Sequence, residues 1–68
     1  MIRQWLRDMR TAQGMSQKGV ANLVGISQPS YHQIESGENN PSVDTAKKIA
    51  DVLQFEWPRF YQDDQKGA

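Results

Sequence analysis

The sequence predicts an all-α protein of about five short helices. Three observations carry that expectation. Apolar residues recur at helical spacing in several separate stretches. Glycines and serines fall between those stretches, where helix ends and N-caps belong. No stretch alternates apolar and polar residues for long enough to make a strand. At 68 residues with 37% apolar side chains and no cysteine, the chain has room for one small core and no disulfide to support it. Helices with local contacts are the least demanding way to build such a core.

Each element follows from its own signals. Ile2, Trp5, Leu6 and Met9 stand at i, i+3, i+4 and i+7, one stripe of a first helix that Gly14 ends. Ser16 is a good N-cap for a second helix, with Val20, Ala21 and Val24 inward and Gly25 as its stop. A helix of about two turns is too short to stand alone in water, so packing must hold it. Ser27 caps a third helix. Pro29 sits in its first turn, where a missing N–H costs nothing; Tyr31 and Ile34 face inward and Gly37 closes it. Glu38, Asn39, Asn40 and Pro41 form a polar loop. Ser42 caps a fourth helix whose inner side carries Val43, Ala46, Ile49, Ala50 and Leu53. A short fifth segment, Trp57 to Tyr61, is apolar at Trp57, Phe60 and Tyr61. The expected organisation is one domain over residues 1–62 and a disordered polar tail over 63–68.

Composition excludes several function classes. One histidine and no cysteine leave no ligand set for a transition metal, so neither a metal nor any other cofactor is expected. Asp63 and Asp64 are adjacent in a polar tail and cannot hold acid–base geometry, and a single His32 supports no nucleophile triad. No catalytic residue can be named, and the chain does not read as an enzyme. No apolar run approaches the ~18 residues of a membrane span, and the first ten residues lack the apolar centre of a signal peptide. The expected setting is therefore the cytoplasm, with no membrane partner. Net charge is zero, with eight basic and eight acidic residues. Residues 1–37 nevertheless carry four basic against two acidic side chains, and residues 38–68 four against six. The first half could therefore face an anion.

Two short helices joined by a tight glycine-containing turn make a helix-turn-helix candidate. The pattern runs Ser16-Gln17, Val20-Ala21, Val24-Gly25-Ile26-Ser27-Gln28, Ser30-Tyr31, Ile34-Glu35 and Gly37. In these residues the chain resembles the Cro and repressor-type helix-turn-helix proteins, the XRE family, over about residues 3–61. Caps, glycines and apolar positions fall in register without a gap, and Pro41-Ser42 with Ala46, Ile49, Ala50 and Leu53 matches the family's fourth helix. The resemblance implies a five-helix lambda-repressor-like domain and a sequence-specific double-stranded-DNA-binding transcriptional regulator, a repressor by preference.

A helix fits the B-DNA major groove, and its reading side chains project from the exposed N-terminal part of the second helix of the unit. In this chain those are Ser27, Gln28, Ser30, His32 and Gln33. A glutamine amide can donate to and accept from one adenine edge at once. Pro29 can offer only an apolar contact to a thymine methyl. The resemblance further implies that Gln17, at the start of the supporting helix, contacts a phosphate and braces Gln28. It also implies that Asn39 and Asn40, joined by Ser36, touch the DNA backbone, and that Arg10 and Glu35 form a partly buried ion pair that orients the third helix. A single module reads few base pairs, so a homodimer on a palindromic operator is expected, with Trp57, Phe60 and Tyr61 as candidate dimer contacts, although Trp57 and Phe60 read first as core. Trp5 and Leu23 are further interface candidates.

The chain departs from the family in three ways. Residues 27–37 contain no Lys or Arg, net charge is zero, and Gly19 stands where a better helix former is usual. The first two point to few phosphate ion pairs and a shallow salt dependence; the third weakens the second helix by roughly 1 kcal/mol. Low basicity and surplus aromatics keep an alternative open, in which the same scaffold serves as an antitoxin or anti-regulator that binds a regulatory protein partner.

Overall fold

The computed structural model describes residues 2–66, and α2, α3 and α4 below follow from their capping chemistry. Among the described residues there are five helices and no strand: α1 (Gln4–Ala12), α2 (Gln17–Val24), α3 (Gln28–Ser36), α4 (Val43–Leu53) and α5 (Arg59–Lys66). Ser16, Ser27 and Ser42 each accept a hydrogen bond through the side-chain oxygen from the backbone N–H three residues on, that of Gly19, Ser30 and Thr45 respectively. These bonds satisfy donors that a helix start leaves orphaned.

The turn between α2 and α3 depends on Gly25, whose φ of 88° lies in the left-handed region. That conformation lets the Ile26 N–H reach back to the Ala21 carbonyl at 3.0 Å, so the chain reverses within three residues and α3 packs across α2. Gly37, with φ of 87°, ends α3 in the same way and delivers the chain into the Glu38–Pro41 loop. Gly19 has a steric rationale as well as a helix-propensity cost. A Cβ there would lie 3.2 Å from the Ser16 Oγ that caps α2, so the small residue leaves the cap undisturbed.

Leu6, Val20, Ala21, Val24, Tyr31, Ile34, Ala46, Ile49, Leu53 and Phe60 form one buried cluster. Trp5 packs edge-on against Phe55 and Phe60, with ring centroids 5.2 and 5.3 Å away. The Gln13 side chain at the end of α1 donates to the Leu53 carbonyl at 2.8 Å, satisfying an acceptor at the end of α4.

Several sequence expectations are corrected. Ile2 is 48% exposed because the chain is not yet helical there, and Arg3 takes the inward position instead. Val43 is 46% exposed. It is the first residue of α4 and stands outside the buried cluster. Phe60 is fully buried under Trp5 and Phe55, which removes it from the candidate dimer contacts. Trp57 and Tyr61 are half-buried and packed edge-on at 6.0 Å, and the Tyr61 hydroxyl donates to the Pro41 carbonyl at 2.9 Å. Trp5 is half-buried, with the Arg59 guanidinium 4.7 Å from its ring centroid. The last helix, α5, spans Arg59–Lys66, and Gly67 and Ala68 lie outside the described residues.

Candidate nucleic-acid interface

Along α3 the inward positions belong to Tyr31, Ile34 and Glu35, all buried. This leaves Gln28, Ser30, His32 and Gln33 exposed on the other side of the helix. The two glutamines are braced from opposite ends of the helix.

At the N-terminal end, the Gln28 Nε2 donates to the Gln17 Oε1 at 2.8 Å, and the Gln17 Nε2 donates to the Glu35 Oε1 at 3.2 Å. Glu35 in turn holds Arg10 in a two-pronged pair, at 2.8 Å to Nε and 3.0 Å to Nη2. The remaining Arg10 Nη1 donates to the Met15 carbonyl at 2.8 Å, which ties the pair to the α1–α2 connection. Burial works against the Glu35 charge. The hydrogen bonds from Arg10 and Gln17 outweigh it and hold the carboxyl below the usual carboxylate range. Burial also pushes the neighbouring Tyr31 phenol well above its usual range.

At the C-terminal end, the Asn39 Nδ2 donates to the Gln33 Oε1. The Asn40 Oδ1 accepts from the Arg3 guanidinium, so this side chain is turned to the protein. Ser36 is half-buried and donates to the Gln33 carbonyl at 3.1 Å. Ser27 is occupied as the cap and donates to the Ser30 Oγ at 2.8 Å. The outward set is thus Gln28, Ser30, His32 and Gln33, with Gln17 and Asn39 as braces. Between Gln33 and the loop lies an open depression of about 230 Å³, lined in part by Ser30, Asn39, Asn40, Ser42 and Thr45.

Sequence reasoning missed Arg3, which entered only as a positive charge. It is 5% exposed and donates through Nη1 to the carbonyls of Ile34 and Asn39. Its backbone N–H also donates to the Glu35 carbonyl at 2.8 Å. The available signal was its spacing of seven from Arg10, two helical turns along one side of α1. The charge of the first half changes accordingly. With Arg3 and Arg10 withdrawn, the exposed charges among residues 1–37 are Arg7 and Lys18 against Asp8. The surface excess is smaller than composition implies.

This arrangement defines a class: a helix-turn-helix protein whose second helix presents a polar, amide-bearing face. The chain belongs to the helix-turn-helix family HTH_3, which matches residues 6–60. It is 40% identical over 63 residues to the uncharacterised HTH-type transcriptional regulator YqaF of Bacillus subtilis, covering 93% of this chain and 83% of that protein. It is also 40% identical over 54 residues to the cryptic phage CTXphi transcriptional repressor RstR of Vibrio cholerae, covering 79% of this chain and 48% of RstR. A crystal structure of an HTH_3 family transcriptional regulator from Vibrio cholerae superposes with a TM-score of 0.71 at 34% identity, over 96% of this chain and 36% of that one. The chain therefore spans most of YqaF but about half or less of the other two.

Proposed function

We propose that this protein is a transcriptional regulator that binds double-stranded DNA sequence-specifically and reads the major groove with α3. One observation carries the reading. Gln28, Ser30, His32 and Gln33 stand exposed on a helix whose opposite side is locked into the core, with both glutamine amides held by neighbours. A preordered amide loses less freedom on meeting a base edge. Each bidentate glutamine contact gives about 1–3 kcal/mol of base discrimination. Gln17 lies at the start of α2, where N–H groups favour a phosphate, and the exposed Asn39–Asn40 loop is the second candidate for a contact to the DNA backbone.

One copy of α3 reads too few base pairs to single out a site. The active form is a homodimer on a palindromic operator with half-sites about 34 Å apart, and its action is repression. Trp57 and Tyr61, half-buried, are the aromatic side chains left available to the dimer contact. No helix among the described residues is long and apolar enough to cross a membrane, and the proposed site of action is the cytoplasmic nucleoid.

Selection from random duplex DNA with the purified protein tests the reading. A palindromic motif is the expected outcome, and Gln28→Ala with Gln33→Ala together abolishes its enrichment while circular dichroism and oligomeric state stay unchanged. Failure to enrich any sequence, combined with equal capture of a protein partner by wild type and double variant, establishes the protein-interaction reading instead.

A further inference from the structure

We infer that Arg3 is a positioning residue for the C-terminal half of the reading face, acting on Gln33 through the Asn39–Asn40 loop. The inference rests on the DNA-reading surface proposed above.

Three facts join in one path. Arg3 is the residue before α1, yet its side chain makes no cap hydrogen bond; it runs inward, with the guanidinium 5.6 Å from the Phe60 ring centroid. From there it donates to the Ile34 and Asn39 carbonyls and to the Asn40 side chain. It thereby ties the end of α3 to two consecutive loop residues. The Asn39 side chain, on a backbone fixed in this way, donates to the Gln33 Oε1. The guanidinium fork spans three acceptors at once, which a lysine ammonium on a flexible stem cannot do in the same geometry. Arg7 and Lys18, exposed on α1 and α2, make no comparable path to the reading face. A loop that could shift would let Asn39 leave Gln33, and the amide would then sample several rotamers. A misplacement of about 1 Å is enough to lose a hydrogen-bonded contact.

A purely structural arginine would lower affinity for all DNA sequences alike. A positioning role predicts a local effect. Two measurements on wild type, Arg3→Lys, Arg3→Met and Asn39→Ala decide between them. In the free protein, NMR of the side-chain amides should show Asn39 and Gln33 ordered in wild type and disordered in Arg3→Lys, with the backbone amides of α1 to α4 in place. In binding-site selection, Gln33→Ala first identifies the base position that Gln33 reads. Arg3→Lys and Asn39→Ala should then lose about tenfold of the discrimination at that position and hold it within about twofold at the position read by Gln28.

Unchanged Asn39 and Gln33 side-chain order in a folded Arg3→Lys overturns the proposal, as does an equal loss at every base position. If Arg3→Met does not fold, Arg3→Lys carries the test; failure of both to fold makes Arg3 structural only and overturns it as well. If wild type enriches no DNA sequence, the proposed function fails, while the side-chain amides still decide the Arg3 path.

Discussion

The two ends of α3 solve one problem with different chemistry. Each exposed glutamine is held by an amide neighbour, Gln17 for Gln28 and Asn39 for Gln33. Each neighbour is secured by an arginine from the α1 region, Arg10 at one end and Arg3 at the other. The difference lies in what the arginine meets. Arg10 meets the carboxylate of Glu35, whereas Arg3 meets two backbone carbonyls and one side-chain carbonyl. A buried ion pair is strong when intact and costly when broken, and it responds to pH. A guanidinium on carbonyl oxygens has no titrating partner. It depends on the backbone path, so it couples loop position to side-chain order.

The largest expected effect comes from breaking the carboxylate end. The Arg10 and Glu35 side chains are 11% and 3% exposed. Arg10→Met leaves the Glu35 charge buried without its partner and should cost about 3 kcal/mol. In a domain of this size that corresponds to a fall of roughly 15 °C in Tm, read by thermal circular dichroism. An unchanged Tm would show that the pair contributes nothing.

A smaller effect separates the two ends by pH. The Glu35 carboxyl titrates below its unfolded value of about 4.3. Its contribution to stability is complete above that value and is lost as pH falls through the lower folded one. Denaturant midpoints should therefore drop on the acid side in wild type and in Arg3→Lys alike. Arg10→Met should flatten that limb. Burial raises the Tyr31 phenol, so wild type should also lose stability as pH rises above about 10. If Arg3→Lys also flattened the acid limb, the two ends would be one network rather than two.

The contrast also explains what was legible in the sequence. Caps, stop glycines and the inner residues of α2 and α3 are local signals, and the helices form where Ser16, Ser27, Ser42, Gly25 and Gly37 place their ends. Side-chain pairs with complementary types leave a trace: an arginine and a glutamate, or two glutamines, can be matched across the chain. Arg3 leaves no such pairing, because its acceptors are mostly main-chain oxygens, which every residue carries; its one trace is the spacing of seven from Arg10. Phe60 carries two readings in the sequence, core and dimer contact, and the structure places it in the core. An apolar residue in a short terminal segment reads equally well as core or as interface, and only the position of Phe55 and Trp5 decides. Val43 and Ile2 satisfy a helical period in sequence, but Val43 is the first residue of α4 and Ile2 precedes α1.

The smallest expected effect tests whether the carbonyl end has a second anchor. Tyr61 lies on α5, far from Gln33 in sequence, yet its hydroxyl donates to the Pro41 carbonyl, one residue beyond the Asn40 that Arg3 holds. The loop is thus secured from both sides, by Arg3 at residues 39 and 40 and by Tyr61 at residue 41. Tyr61→Phe keeps the ring packed against Trp57 and removes one hydrogen bond, a cost of about 1 kcal/mol. The free-energy loss in denaturant should be of that size. Combined with Arg3→Lys in a double-mutant cycle, it should exceed the sum of the single losses, because each anchor partly compensates for the other. Strict additivity would mean that α5 steadies the fold without steadying the loop, and that Gln33 is held from the Arg3 side alone.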